Sequence, residues 1–254
     1  MIEVGVIGCG VVGKRRAHYI SKQKNLNLKY ISDINFKKNF IKNKIFFFKN
    51  YLNVIKKKPD AVFITLPNYL AAKVTRLCLS KKIHVFCEKP PGRNPSDIKK
   101  VILQEKKNKK VKLKYGFNHR YHRAFRKLDE LIEEDHLGDL MFLRSRYGHG
   151  GRLGYEKEWR ANLDKSGGGE LIDQGPHLID LSRKILGEFE EVHGTVHTYF
   201  WDMEVDDNAF LTLTTSEEKV AFLHVSCTEW KNTFSMEVYG KKGKAHISGL
   251  GGSY

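Results

Sequence analysis

The stretch that decides the fold opens the chain: an apolar run, Ile2–Ile7, and directly after it Gly8-Cys9-Gly10-Val11-Val12-Gly13. The apolar run is typical of a buried strand, and a helix-compatible stretch begins at Lys14. The glycines form the pattern G-x-G-x-x-G, which combines a tight turn, close backbone approach to a pyrophosphate and close packing of helix on strand. Free N–H groups at the start of the helix favour phosphate. We therefore predict that this loop holds a dinucleotide.

An acidic residue follows at the spacing that such a site requires. A second apolar run, Leu26–Ile31, leads to Asp33, 20 positions beyond Gly13. A carboxylate at the end of the second strand is placed to accept a ribose 2′-OH and repels a 2′-phosphate. The preference is therefore for NAD. Lys37 and Lys38 lie close in sequence, and they leave NADP as the alternative cofactor.

Up to about Phe117 the pattern alternates between short apolar strands and helices, which is typical of βαβ units. Such units form a doubly wound parallel sheet, with ligands at the carboxyl ends of the strands. We predict an α/β Rossmann domain over residues 1–117. Its further strands are Ala61–Thr65, Ile83–Cys87 and Val111–Gly116, and its further helices are Tyr69–Ser80 and Pro95–Asn108.

Residues 118–254 show a different pattern of predicted helices and strands. We predict a helix over Tyr121–His136, a strand over Leu140–Tyr147 and a helical segment over Leu171–Leu186. Successive strands without intervening helices indicate an antiparallel sheet. Residues 118–254 are therefore predicted to form an α+β domain with a mostly antiparallel open sheet. Its later strands are Glu191–Trp201, Ala209–Thr215, Lys219–Trp230, Phe234–Tyr239 and Lys244–Ser248.

Composition narrows the class of protein. The 254 residues are 41% hydrophobic, and the formal net charge is +16. Residues 1–115 hold 28 Lys and Arg against 6 Asp and Glu, whereas the remainder holds 17 against 23. A basic first half could steer anionic cofactors or nucleotide-linked substrates, but we interpret the excess chiefly as solvated lysine surface. We expect no nucleic-acid partner, because the lysines lack interleaved aromatic residues.

Membrane and metal sites are not expected. No apolar run reaches the ~18 residues of a membrane span, and the N-terminal run lacks a signal-peptide cleavage site. The four cysteines have neither C-x-x-C nor metal-ligand spacing. We expect reduced, mostly buried thiols, a cytoplasmic location and no bound metal.

The first segment with catalytic potential is Cys87-Glu88-Lys89-Pro90-Pro91. A lysine at a strand's carboxyl end, beside a cofactor cleft, could hydrogen-bond a substrate hydroxyl and favour its deprotonation. The two prolines stiffen the chain behind it. Taken alone, Lys89 is better interpreted as a surface lysine.

The second segment runs from Gly167 to Asp180, with the sequence GGGELIDQGPHLID. Asp173 and His177 are four positions apart, which places them on one face if the segment is helical. A carboxylate beside an imidazole orients it and raises its basicity, as a general base requires. Pro176 suits the first turn of a helix better than its interior. A capping aspartate and a structural histidine are the alternative interpretation.

Together, the N-terminal G-x-G-x-x-G, the Glu-Lys-Pro and Gly-Gly-Gly-x-Leu-x-Asp-x-Gly-x-His-x-x-Asp resemble the Gfo/Idh/MocA family of oxidoreductases over essentially the whole chain. The resemblance implies hydride transfer between a nicotinamide and a hydroxyl-bearing carbon of a sugar, cyclitol or nucleotide sugar. It implies that Lys89 binds and polarises the hydroxyl, that His177 is the general base and that Asp173 works with it. It also implies a homo-oligomer formed through the C-terminal sheet.

Further site residues follow from the same resemblance. Glu88 and Lys89 lie beside the cofactor, as does a segment that resembles the family's Thr-Pro-Asn, here Thr65-Leu66-Pro67-Asn68. A histidine often found soon after it is absent, since Tyr69 and Ala71 stand there. For the substrate pocket we select Arg120, Trp159 and Arg160, since an aromatic ring stacks on a sugar and Arg holds an anionic group.

Two other functions stay open at this stage. One is reduction of a keto-sugar nucleotide in surface-polysaccharide synthesis. The other is a non-catalytic NAD-binding or assembly protein, because family members usually run some tens of residues longer than this chain. We therefore expect the second domain to lack C-terminal elements.

Overall fold

Two sheets organise the chain, one formed before and one after the junction between Gly116 and Phe117. The structure is a computed structural model and describes residues 1–250. The predicted end of the second domain, residues 251–254, lies outside them.

The first unit, Met1–Gly116, contains a seven-stranded sheet. In chain order its elements are β1 (Ile2–Ile7), α1 (Val11–Ser21), β2 (Leu26–Ser32), β3 (Phe40–Lys42), β4 (Ile45–Phe48), α2 (Tyr51–Lys56), β5 (Ala61–Ile64), α3 (Asn68–Ser80), β6 (His84–Cys87), α4 (Pro95–Lys106) and β7 (Leu113–Tyr115). The strand order is β3-β4-β2-β1-β5-β6-β7. All neighbouring strands are parallel except β3 and β4, so the predicted Rossmann-like sheet is confirmed.

Strand β1 shows why this sheet is buried on both faces. Val4 and Val6 pack into one apolar cluster, and Ile7 packs into the other. Because successive side chains of a strand point to opposite faces, such a strand needs apolar residues throughout. Gly5 also belongs here, since a Cβ built on it would lie 2.7 Å from Val54 of α2.

Three elements between Asp33 and Ala61 had no prediction from sequence, namely β3, β4 and α2. The two strands are only three and four residues long, too short to show a clear period. Ring packing stabilises them: Phe40 of β3 stacks on Phe47 of β4 with 4.4 Å between ring centroids. Asn50 caps α2 by accepting the Leu52 N–H.

The second unit begins at Phe117 and contains a six-stranded sheet. Its elements are α5 (Arg123–Glu133), β8 (Leu140–Gly148), α6 (Leu163–Ser166), α7 (Glu170–Asp173), α8 (Gly175–Leu186), β9 (Phe189–His197), β10 (Asn208–Thr215), β11 (Val220–Ser226), β12 (Thr233–Gly240) and β13 (Lys244–Ser248). The strand order is β13-β12-β8-β11-β10-β9. The sheet is mostly antiparallel, as predicted, but β8 and β11 pair in parallel.

The two faces of this second sheet differ. Alternate residues, such as Leu143, Leu223 and Met236, are buried in a core that they share with Leu178 and Leu181 of α8. On the opposite face Phe222 is 50% exposed. One face therefore lies against helices, and the other remains open within the described residues.

The helical segment predicted over Leu171–Leu186 is interrupted. Helix α7 ends at Asp173, and α8 begins at Gly175 with Pro176 in its first turn. Proline has no N–H and its ring clashes in a helix interior, so it starts a new helix instead of continuing the old one. Asp173 therefore ends one helix and His177 lies in the first turn of the next, so the single continuous helix on which their shared face was conditional does not form.

Candidate active site

The glycine loop has the geometry of an anion cradle. Gly8 has φ +92°, a left-handed conformation that favours glycine. A Cβ built on Gly13 would lie 2.0 Å from the Gly8 carbonyl oxygen, which prevents any larger residue there. A Cβ built on Gly10 would meet nothing within 4 Å. The loop is thus tight on its inner side and open where α1 begins, which fits the approach of a pyrophosphate.

The side chains at positions 11 and 12 lie on the first turn of α1, where Val11 is 77% exposed and Val12 44% exposed. Between the glycines, the Cys9 N–H donates to Asp33 Oδ2 at 2.6 Å. Burial raises the pKa of the Cys9 thiol, and the charge of Asp33 adds to the effect. Cys9 therefore contributes to the loop chiefly through its backbone.

Asp33 lies directly after β2 and joins that strand to the loop. Besides the Cys9 N–H, it accepts the Asn35 N–H on Oδ1 at 2.9 Å. Each carboxylate oxygen has a second lone pair, which is what a ribose hydroxyl would use. A groove next to Asp33 is lined by Ile34, Lys38, Asn39, Lys49, Asn50, Tyr51 and Asn53.

Thr65 connects the loop to the neighbouring strand β5. Its hydroxyl donates to the Gly8 carbonyl oxygen at 2.7 Å. Leu66 and Pro67 lead into α3, which begins at Asn68, and Asn68 is buried. The structure thus brings Gly8, Asp33 and Thr65 together at the carboxyl edge of β1, β2 and β5.

Glu88 and Lys89 follow β6, which is the next strand along that edge. The Glu88 N–H donates to the Ile64 carbonyl of β5 at 2.9 Å, so this segment lies beside the one that carries Thr65. The Glu88 carboxylate forms an ion pair with Arg16 of α1, whose Nη2 lies 2.5 Å from Glu88 Oε1. Glu88 therefore ties the Lys89 segment to the helix that follows the glycine loop.

In the second unit, close contacts with Asp206 explain why the run of three glycines before α7 ends in a position that only glycine can occupy. Its carboxylate accepts the N–H groups of Gly169 and Leu171, both at 2.8 Å. A Cβ built on Gly169 would lie 1.8 Å from the Asp206 carbonyl oxygen. The chain approaches Asp206 so closely that only glycine fits, and this contact fixes the start of α7.

His177 lies in the first turn of α8 and is 3% exposed. Asp173, at the end of α7, accepts a hydrogen bond from Arg160 Nε at 3.2 Å. Burial alone would lower the pKa of the Arg160 guanidinium, but the charge of Asp173 raises it, so the cation is retained. Arg160 also lies over the ring of Trp159, with 4.6 Å between Cζ and the ring centroid.

Arg120 is bound at close range by Asp180 of α8. Its Nε and Nη2 lie 2.6 and 2.5 Å from the two carboxylate oxygens. This hydrogen bond raises the pKa of Arg120. A bidentate pair of this kind holds the turn Asn118–Tyr121 against α8.

Two neighbours of these residues were not predicted from the sequence. His119 stacks on His177 with 4.1 Å between ring centroids. Glu170 is 1% exposed and accepts the Tyr155 hydroxyl at 2.8 Å. His119 directly precedes Arg120, which we select from the sequence, but nothing in the local pattern distinguishes a stacked histidine from a surface one.

Among residues 1–250, no group of three or more His, Cys, Asp or Glu side chains lies close enough to hold a metal ion. Helices long and apolar enough to cross a membrane are likewise missing from this part of the chain. The groups that meet at the sheet edge are instead the backbone N–H groups of the glycine loop, the carboxylates of Asp33 and Glu88, and Lys89.

These features define a class, the nicotinamide-dinucleotide-binding oxidoreductases with a Rossmann domain followed by an α+β domain. Family models agree: an oxidoreductase-family NAD-binding Rossmann fold matches residues 2–117, and the GFO/IDH/MocA C-terminal domain matches residues 125–246. The chain belongs to the Gfo/Idh/MocA family of NAD-binding oxidoreductases.

The individual proteins to which this chain is similar have low sequence identity with it. An uncharacterized oxidoreductase of Bacillus subtilis is 28% identical over 96% of this chain and 73% of its own length. Myo-inositol 2-dehydrogenase of Thermotoga maritima is 32% identical over 75% of this chain and 57% of its own length. The chain thus spans between about half and three quarters of these two proteins.

Solved structures share the fold. The WlbA dehydrogenase of Bordetella pertussis, in complex with NADH and UDP-GlcNAcA, superposes with a TM-score of 0.88 at 19% identity, over 98% of this chain and 78% of that one. A levoglucosan dehydrogenase in complex with NADH gives 0.87 at 21% identity, over 97% and 73%.

Proposed function

We propose that this chain transfers a hydride between NAD and a hydroxyl-bearing carbon of a sugar, cyclitol or nucleotide sugar. The observation that carries the proposal is the shared edge of β1, β5 and β6. An open glycine turn follows β1, and Lys89 follows β6, two strands away in the same parallel sheet. Ligands bind at such carboxyl edges, so Lys89 lies at the edge where a nicotinamide is expected.

Each residue has a defined role in this proposal. Bound NAD supplies the hydride acceptor; Gly8–Gly13 would hold its pyrophosphate and Asp33 its adenosine ribose. Lys89 donates a hydrogen bond to the reacting hydroxyl and stabilises negative charge on its oxygen. His177 accepts the hydroxyl proton on its imidazole, which leaves a carbonyl after hydride loss. Asp173, held by Arg160, favours the protonated imidazole electrostatically.

The substrate class is proposed from chemistry and from relatives. One relative is a myo-inositol 2-dehydrogenase and another a D-glucoside 3-dehydrogenase, both acting on polyhydroxylated rings by name. Arg160 covers one face of the Trp159 ring, and we assign the other face to stacking on a sugar, with Arg160 as the neighbouring cation. Reduction of a keto-sugar nucleotide is the second candidate, favoured by the basic balance of residues 1–115.

We also propose a homo-oligomer formed through the open face of the second sheet, located in the cytoplasm. The four cysteines are free thiols, which supports a reducing compartment. A non-catalytic NAD-binding protein is the alternative. It is less favoured because a pure binder has no need for Lys89, Asp173 and His177 together.

The test is NAD reduction, followed by NADH absorbance, against a panel of inositols, hexoses and UDP-sugars. On the substrate found, we expect Lys89→Ala and His177→Ala each to lower kcat by roughly 10²–10⁴-fold, the usual loss for proton-transfer catalysts. The Kd for NADH, measured by fluorescence, should stay nearly unchanged. Lys99→Ala, in an exposed position of α4, is the matched control.

Full activity of both site variants would remove these roles. NADH binding without turnover of any panel member would favour the non-catalytic alternative.

A further inference from the structure

We propose that His119 is a positioning residue that fixes the imidazole plane of His177. This inference rests on the proposed role of His177 as the base. The two rings are stacked, with 4.1 Å between centroids and 25° between planes. They are among the most buried polar residues of the second unit, with 8% of His119 and 3% of His177 exposed.

Aromatic rings surround the stacked pair. Phe117 meets the His177 ring edge-on at 6.3 Å and 87°, and Tyr147 lies 6.1 Å from the same ring. Phe234 meets His119 edge-on at 5.7 Å. The His177 ring is therefore bounded by a flat surface on one face and by aromatic edges around it. Rotation about its side-chain bonds would force these rings apart, because a packed core has little free volume.

The position of His119 is itself set from α8, the helix that carries His177. The next residue, Arg120, forms the bidentate pair with Asp180, one turn after His177 on that helix. His119 is thus linked to His177 through the turn Asn118–Tyr121, the ion pair between Arg120 and Asp180, and the helical turn between Asp180 and His177. This path determines which part of the His177 ring His119 covers.

A fixed ring matters because proton transfer depends steeply on geometry. A catalytic group needs to be held within about 0.5 Å and 10–20° of its productive orientation. Misplacement by about 1 Å can cost roughly 10²-fold in rate. A flat partner at van der Waals distance restricts the ring plane in a way that an aliphatic side chain of similar size does not.

The decisive comparison is between His119→Phe, which keeps a flat ring, and His119→Leu, which fills the space without one. We expect His119→Leu to lower kcat about 10²-fold, with KM for NAD and the Kd for NADH unchanged. His119→Phe should recover most of this loss, to within about tenfold of the unmodified enzyme. Because both replacements are apolar, their thermal stabilities should be similar, so a difference in kcat reports on ring geometry.

A readout that does not need turnover is the NMR spectrum of histidine-labelled protein. The His177 ring signal is assigned by its loss in His177→Ala. It should stay shifted by the neighbouring ring in the Phe variant and should move towards an unstacked position in the Leu variant.

The outcomes separate the two proposals. A Leu variant with unchanged kcat and unchanged His177 signal, combined with an inactive His177→Ala, would overturn the positioning role and leave the base in place. A fully active His177→Ala would remove the base, and with it the catalytic meaning of the stack. Equal losses of kcat in the Leu and Phe variants would also contradict the inference, since the flat ring would then have no effect.

Discussion

At the scale of single residues, Gly10 and Gly13 of the same loop differ in whether the fold itself requires glycine. Gly13 is packed against the Gly8 backbone and Thr65, whereas Gly10 faces open space. Gly10 has φ −68° and ψ −162°, a conformation that alanine adopts without strain. Gly13 is thus needed for the fold, and Gly10 is needed only if something approaches it.

This difference predicts opposite behaviour for two alanine substitutions. Gly13→Ala should lower both thermal stability and NADH affinity, since its Cβ would displace backbone. Gly10→Ala should leave the melting temperature nearly unchanged but weaken NADH binding, because its methyl group occupies the space expected for the pyrophosphate. Scanning calorimetry and fluorescence titration check the two quantities. Wild-type affinity in Gly10→Ala would contradict the placement of the cofactor at this loop.

At the scale of elements, the turn Asn118–Tyr121 and helix α8 are joined by Arg120 and Asp180. The side chain of Asp180 is 15% exposed and that of Arg120 is 40% exposed, so the pair is only partly screened by solvent. This contact gives Arg120 a structural role, whereas from the sequence we select it as a residue of the substrate pocket. The two roles predict different measurements.

A double-mutant cycle distinguishes them. If the pair is structural, Arg120→Ala and Asp180→Ala should each destabilise the protein, with a coupling of about 0.5–3 kcal/mol in the free energy of unfolding. KM for the substrate should then change little in Arg120→Ala. A large rise in KM with no coupling in stability would instead support direct substrate binding. Lys127→Ala, which breaks an exposed pair with Glu130, is the control.

At the scale of the whole molecule, the open face of the second sheet carries the proposed subunit contact. Phe210 stacks on His224, and Phe142 stacks on Tyr239, each with 4.4 Å between centroids, around the half-exposed Phe222. Exposed aromatic clusters of this kind often mark interaction surfaces.

We expect Phe222→Glu to shift the protein to a smaller species in analytical ultracentrifugation, because a carboxylate buried at an apolar contact is costly. Leu103→Glu, on the exposed side of α4, should leave the sedimentation coefficient unchanged. A wild-type protein that sediments as a monomer at all concentrations would contradict the proposed contact.

Much of the fold follows from local patterns in the sequence. The predicted strand Ile2–Ile7 has those bounds in the structure, and Pro95–Asn108 differs from α4 only at its end. Strands and helices of ordinary length carry a period that can be read residue by residue. The glycine loop is predictable for the same reason, since its geometry depends on neighbouring backbone alone. The short strands β3 and β4 could not be predicted, because three or four residues show no clear period. The ring contacts that stabilise them are not visible in the sequence.

The candidate site was predictable only as a set of residue types. Lys89, Asp173 and His177 emerge from motifs, and their catalytic roles stay predictions. Their partners could not be foreseen: Arg160 for Asp173, Arg16 for Glu88 and His119 for His177. Arg120 and Asp180 are 60 positions apart, and local periodicity carries no information about contacts at that separation.

The sequence by itself determined the family, the dinucleotide loop and the two kinds of sheet, because each depends on spacing along the chain. Only the tertiary structure decided the order of the strands and the parallel pairing of β8 with β11. It also decided that His177 lies against a second histidine. These features depend on which distant segments pack together, and that choice is made by the free energy of the whole core.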